Sequence, residues 1–136
     1  QQKLVNPIFA FALDVSQGKV KGFETYKIDK PISFDYDIKR TDYPVTDALY
    51  QSFKAFATQK YKYTPAQVDK ERAFVERVLR SELVTAAYGS TTSFQVFNEY
   101  DDSLLRAIEL LPQAKQLALE GAKSRANAAK REPANK

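Results

Sequence analysis

Ser16-Gln17-Gly18-Lys19 has the S-x-x-K spacing in which a lysine amine activates a serine hydroxyl for acyl transfer. Such a pair works where it opens a helix, because both side chains then share one face. Gly18 between them points to a loop, so neither Ser16 nor Lys19 is given a catalytic role. Glu24, Asp35, Asp37 and Asp42 supply carboxylates, yet without calcium-loop spacing, and solvated faces of an extended segment account for them. Asp101-Asp102 reads as a helix cap and a complement to the helix dipole. The chain contains no Cys and no His, which removes the thiolate nucleophile, the imidazole base and the two commonest soft or borderline metal ligands. No glycine-rich phosphate loop is present. No catalytic, cofactor-binding or metal-ligating residue is therefore assigned, and no cofactor is expected.

The elements that would have to position any site come from a chain of 136 residues, 43% of them hydrophobic. That is enough for one core and short for two. The formal charge is +4, but bases and acids are interspersed except near the end, and no aromatic-basic module accompanies them, so nucleic acid is not an expected partner. The longest clean apolar run, residues 8–13, falls far below the roughly 20 residues of a membrane-spanning helix. Methionine is absent and the first residue is Gln1, so the expectation is a processed chain or a piece of a larger parent, without a membrane span.

The central stretch is Thr64 to Gly89. Thr64 reads as an N-cap, Pro65 as the first helical residue and Gln67 as the reciprocal member of a capping box. Val68, Val75, Val78, Leu79, Leu83 and Ala86 recur at helical spacing, with Asp69, Arg72, Glu76, Arg80 and Ser81 on the remaining faces. Gly89 is placed to end this helix in a left-handed conformation. Before it, Asn6-Pro7 opens a short helix with Ile8, Phe11, Ala12 and Val15 as its stripe. Thr46 caps another carrying Leu49, Phe53, Phe56 and Ala57. Between the two, Ile32, Phe34, Tyr36 and Ile38 alternate with Ser33, Asp35 and Asp37, the period of a half-buried strand. A lone pair of strands is marginal in water, so this segment either lies across the helices or belongs to a sheet in a larger parent.

After Gly89, Ser90 or Thr91 is read as capping a short helix with Phe94, Val96 and Phe97. Asp101 caps the next, whose core stripe is Leu104, Leu105, Ile108 and Leu111. Pro112 is expected to end or kink that helix and to open a new segment. Residues 119–136 form a basic, Ala-rich tail that should fray or wait for a partner. Phe9, Phe11, Phe53, Phe56, Phe74, Phe94 and Phe97 are assigned to the core. The expected fold is thus mainly α, a bundle-like domain of about five helices over residues 1–118 with a short extended segment near residues 23–38.

Three stretches carry a family resemblance: Thr41-Asp42-Tyr43-Pro44-Val45-Thr46-Asp47, the run from Arg72 through Arg80-Ser81-Glu82-Leu83-Val84-Thr85-Ala86-Ala87-Tyr88-Gly89, and Asp101 to Ala107 followed by Leu111-Pro112-Gln113-Ala114-Lys115-Gln116-Leu117-Ala118. Together they resemble the region that follows the catalytic domain in carboxyl-terminal processing peptidases, the tail-specific serine proteases, and the likeness extends over about residues 6–118. That family joins a PDZ substrate-binding domain to a core with a Ser-Lys dyad. Neither has a counterpart in this chain, so no catalytic residue is carried over. The resemblance implies a noncatalytic C-terminal helical domain of a bacterial, periplasmic or otherwise extracytoplasmic peptidase. Its implied partners are the peptidase core of the parent chain, a second copy in a homo-oligomer, or an adaptor protein. An independent helical adaptor is the alternative, and an enzyme acting through Ser16 and Lys19 or through a carboxylate pair is a third.

Overall fold

The computed structural model describes residues 1–131. Among these, 73% are helical and no strand is formed. The chain divides into two units, Gln1–Tyr100 and the segment from Asp101 onward.

The first unit is built from α1 (Gln2–Ser16), a single 3-10 turn (Glu24–Tyr26), α2 (Asp47–Tyr61), α3 (Pro65–Lys70) and α4 (Arg72–Asn98). α1 packs on α4 and α2, and α3 bridges α2 to α4. The core holds most of each expected stripe: Ile8, Phe11, Ala12 and Val15 from α1, Leu49, Tyr50, Phe53 and Ala57 from α2, Val68 from α3, and Val75, Leu79 and Leu83 from α4. Leu4 of α1, which the expectation did not include, joins it, and Phe56, Val78 and Ala86 are only partly buried. Phe11 meets Phe53 edge to face with ring centroids 5.6 Å apart, an arrangement the ring quadrupoles favour.

Local capping sets the helix starts. The Thr46 hydroxyl accepts the Leu49 N–H at 3.2 Å and opens α2. At Thr64 the capping box closes in both directions: its hydroxyl accepts from Gln67 N–H, and the Gln67 side chain accepts from Thr64 N–H. The helix opened there is not the single long one expected, however. It ends at Lys70, Glu71 takes a non-helical conformation (φ −109°, ψ 21°), and α4 starts afresh at Arg72. α1 also differs, starting at Gln2 and running through Pro7, because the carbonyl that Pro7 leaves without a helical donor, that of Lys3, accepts the Tyr63 hydroxyl instead.

α4 breaks at Gly89, where φ is 84° and ψ is 166°, and resumes at once beyond it. The break is the expected glycine stop, although the dihedrals lie beyond the left-handed helical region. The segment read as a strand has no ladder. Residues 27–42 form a strap laid across the broken helix, which is one of the two outcomes its alternation allowed. Phe94, Phe97 and Phe9, expected in the core, are 67%, 42% and 55% exposed. Helical spacing placed them on a face but could not say that nothing covers it.

The second unit is one helix, α5 (Asp102–Arg131). The Asp101 carboxylate accepts the Leu104 N–H at 3.0 Å, as a cap should. Pro112 neither ends this helix nor opens another, since an exposed helix leaves the freed carbonyl to water and the flanking Leu, Ala, Gln and Lys are strong helix formers. The helix also continues through the tail expected to fray, as far as Arg131. Residues 132–136 of that tail lie outside the described residues. Of the intended core stripe, Leu104, Ile108 and Leu111 are exposed and Leu105 is half-buried.

Candidate functional site

The S-x-x-K residues do not form a dyad. The Ser16 hydroxyl donates to the Leu13 carbonyl at 3.0 Å inside its own helix, and Lys19 lies 4.0 Å from Asp14. Gly18, with φ of 72°, turns the chain away between them, and a Cβ there would run into Lys27. Of the four candidate carboxylates, exposed Asp35 and Asp37 lie apart on the strap, and the other two are spent on local structure. Glu24 accepts the Gly22 N–H, which holds its pKa below the usual range, and Asp42 accepts the Lys39 N–H at 2.8 Å. Among the described residues no three acidic side chains converge as metal ligands would.

What the fold does bring together is the strap and the break in α4. Breaking the helix at Gly89 withdraws the ordinary helical donor from the Ala87 carbonyl, and the strap's Ser33 N–H takes its place at 3.3 Å. Beyond the break, the Gln95 amide acts as a surrogate strand edge. Its oxygen accepts the Ile38 N–H at 3.1 Å and its nitrogen donates to the Tyr36 carbonyl at 3.0 Å. Before the break, buried Arg80 donates to the Lys39 carbonyl at 2.8 Å and the Asp42 carbonyl at 3.3 Å, and pairs with Glu99 at the far end of α4. A planar guanidinium with several donors in fixed directions suits this three-way role. Burial pushes the Arg80 pKa down from its ordinary value.

Four tyrosines line the crossing. Tyr36 stacks on Tyr88 with centroids 4.3 Å apart, Tyr43 meets Tyr88 at 6.0 Å edge to face, and Tyr26 lies 6.2 Å from Tyr43. Tyr43 has a positive φ of 48°, so Pro44 does drive it out of the right-handed helical region, as read, but into the left-handed one. Burial raises the phenol pKa of Tyr43 and of Tyr26, while the Asp42 carboxylate beside Tyr36 raises that of Tyr36. On one side of Tyr43 and Tyr88 opens a groove of about 410 Å³ bordered by Lys27, Asp29, Lys30 and Pro31; on the other side lies one of about 390 Å³ bordered by Thr25, Tyr26 and Asp42. Lys27 is paired with Asp29 at 3.0 Å, so the groove offers aromatic faces, the Lys30 ammonium and strap backbone to a ligand or a neighbouring chain.

The sequence reading missed Arg80, Gln95 and Tyr88 as a set. Helical spacing puts Arg80 only on the faces left over by the apolar stripe. The available signal was its position one residue from Leu79 in the core stripe, a place where a charge is either buried with partners or at the edge of the face.

Neither a protein-family model, nor a curated protein, nor a solved structure matches the chain.

Proposed function

We propose that the chain is the noncatalytic C-terminal helical domain of a bacterial carboxyl-terminal processing serine peptidase, where it braces the catalytic core or mediates oligomer or adaptor contacts outside the cytoplasm. One observation carries this reading. Two of the runs that resemble the family, residues 41–47 and 72–89, are far apart in sequence and are joined in the fold by Arg80 to Asp42 and Tyr88 to Tyr43. A resemblance confined to unrelated surface stretches would have no reason to converge on one crossing. The strap supports a bracing role, because its Ile32 and Phe34 side chains remain 46% and 70% exposed and would be covered by a neighbouring layer.

The test is the intact mass of the native protein in its source. A mass far above the 15.4 kDa of this chain, with a peptidase core in the same polypeptide, is the expected result. A native mass equal to this chain would overturn the reading.

An independent adaptor domain is the second reading, favoured by α1. Val5, Phe9 and Leu13 form an exposed stripe along one border of the core face of that helix, so its apolar face is wider than the domain's own core covers and leaves a strip for a partner. A free-standing native chain recovered with a bound protein would support this reading over the first.

A further inference from the structure

Charge and apolar surface are distributed over this chain in a way that the proposed function does not use. Through Pro112 the sequence holds equal numbers of basic and acidic residues, so the entire +4 falls on residues 113–136. Within α5 that excess is Lys115, Lys123, Arg125, Lys130 and Arg131 against Glu120 alone. The same helix is two-sided. At about 100° per residue, Leu104, Ile108, Leu111, Ala118 and Ala122 fall on one side, with Asp102, Glu109, Gln113, Gln116, Glu120 and Asn127 opposite. On the apolar side Leu104, Ile108, Leu111 and Leu119 are 36% to 61% exposed.

Where the bases sit on the helix decides what covers this face. Lys115 lies on the apolar side itself, between Leu111 and Ala118, and Arg125 lies near its other border. Lys123 and Lys130 flank it beside Leu119. The seam of a helix pair would have to bury Lys115 and Arg125 without the partners that a buried charge needs. At a bilayer boundary the same side chains lay their methylene stems along the apolar layer and lift their charges to the lipid phosphates. The helix is about 45 Å long, and no described helix is long and apolar enough to cross a membrane, so such a helix would lie in the interface.

We propose that α5 is an interfacial helix that binds anionic lipid surfaces, with Leu104, Ile108, Leu111 and Leu119 inserted at the acyl boundary and Lys115, Lys123, Arg125 and Lys130 at the phosphates. This inference does not depend on the peptidase reading.

The test is flotation of the full chain with vesicles of phosphatidylcholine alone and of phosphatidylcholine mixed with phosphatidylglycerol, at low and high salt. Binding to the mixed vesicles, weak on the neutral ones and reduced by salt, is expected. Lys123→Glu with Arg125→Glu should lower partitioning more than about tenfold, since each base near an anionic surface is worth roughly fivefold. Leu111→Asp with Ile108→Asp should lower it by about tenfold or more, and Gln116→Ala on the polar side should leave it unchanged. All these side chains are exposed, and thermal unfolding of each variant reports whether the first unit is intact. Failure to float with the mixed vesicles, equal binding to both kinds, or a dimer that Ile108→Asp splits and that ignores vesicles, would each overturn the proposal.

Discussion

The hydroxyl of Tyr63 donates to the carbonyl of Lys3 at 2.9 Å, the carbonyl for which Pro7 has no N–H to offer. The bond ties the connection between α2 and α3 to the start of α1 and lets a proline sit inside a helix that would otherwise begin later. Tyr63→Phe should lose about 1 kcal/mol of stability in urea unfolding, the net worth of one such bond. In a Pro7→Ala background the helix supplies its own donor, so the same change should lose clearly less. Equal losses in both backgrounds would mean that the hydroxyl does not compensate for the proline.

Gly89 is held where side-chain-bearing residues are strained, and the strap closes over it. A Cβ at this position would lie 3.1 Å from the Phe34 ring and 3.6 Å from Ile32. Gly89→Ala should therefore destabilise the first unit by at least the roughly 1–3 kcal/mol of a forbidden backbone conformation. Adding Phe34→Ala should recover the steric share and leave the backbone share. Phe34→Ala alone should change little, because that ring is 70% exposed. Thermal unfolding of the three variants separates the two contributions, and a neutral Gly89→Ala would show that α4 does not need its break.

Local chemistry was legible in the sequence, and crossings were not. Thr46, Thr64 with Gln67, and Asp101 cap their helices as read because an N-cap involves residues only three apart. The stripes of α1, α2 and early α4 reached the core because each carries enough apolar residues to fix one buried face. Leu79→Ala should accordingly lose about 2–5 kcal/mol, against roughly 0.5 kcal/mol or less for exposed Phe94→Ala, as denaturant titration would report. Period-two alternation at Ile32 to Ile38 marks one side of the strap as apolar, and α4 covers only part of it, leaving Ile32 and Phe34 exposed. The strap contacts of Arg80 and Gln95 are not legible because they go to backbone groups some forty to sixty positions away, and no spacing rule reaches that far. Leu104, Ile108 and Leu111 announce an apolar side but not its occupant.

Arg80 fastens the strap to α4, so its loss should appear in two observables. Arg80→Ala leaves Glu99 and two carbonyls without their donor and should destabilise the first unit by about 3–5 kcal/mol, the usual result of removing one member of a buried pair. Arg80→Lys keeps the charge but cannot span three acceptors, and should fall between. The strap also holds Lys39 and Arg40, so limited trypsinolysis under native conditions should cut there sooner in Arg80→Ala than in the parent. Unchanged cleavage at Lys39 and Arg40 in a destabilised Arg80→Ala would show that Arg80 steadies the helix and not the strap.

Glu82 provides the pH dependence. Burial on α4 raises its carboxyl above the ordinary value of 4.5, so the folded chain holds this proton more tightly than the unfolded chain does. The contribution is fully present below the ordinary glutamate pKa and is lost as pH rises through the raised one, where a charge must be kept in a poorly solvated place. Glu82→Gln removes that charge while keeping the shape. The variant should melt above the parent at neutral pH, and the gap should close as the pH falls to the ordinary glutamate value and below. Melting temperatures of both proteins across the acidic range test this. A gap that stays constant with pH would assign the effect to packing, and a variant less stable at neutral pH would mean that the ionised carboxylate has a partner in the fold.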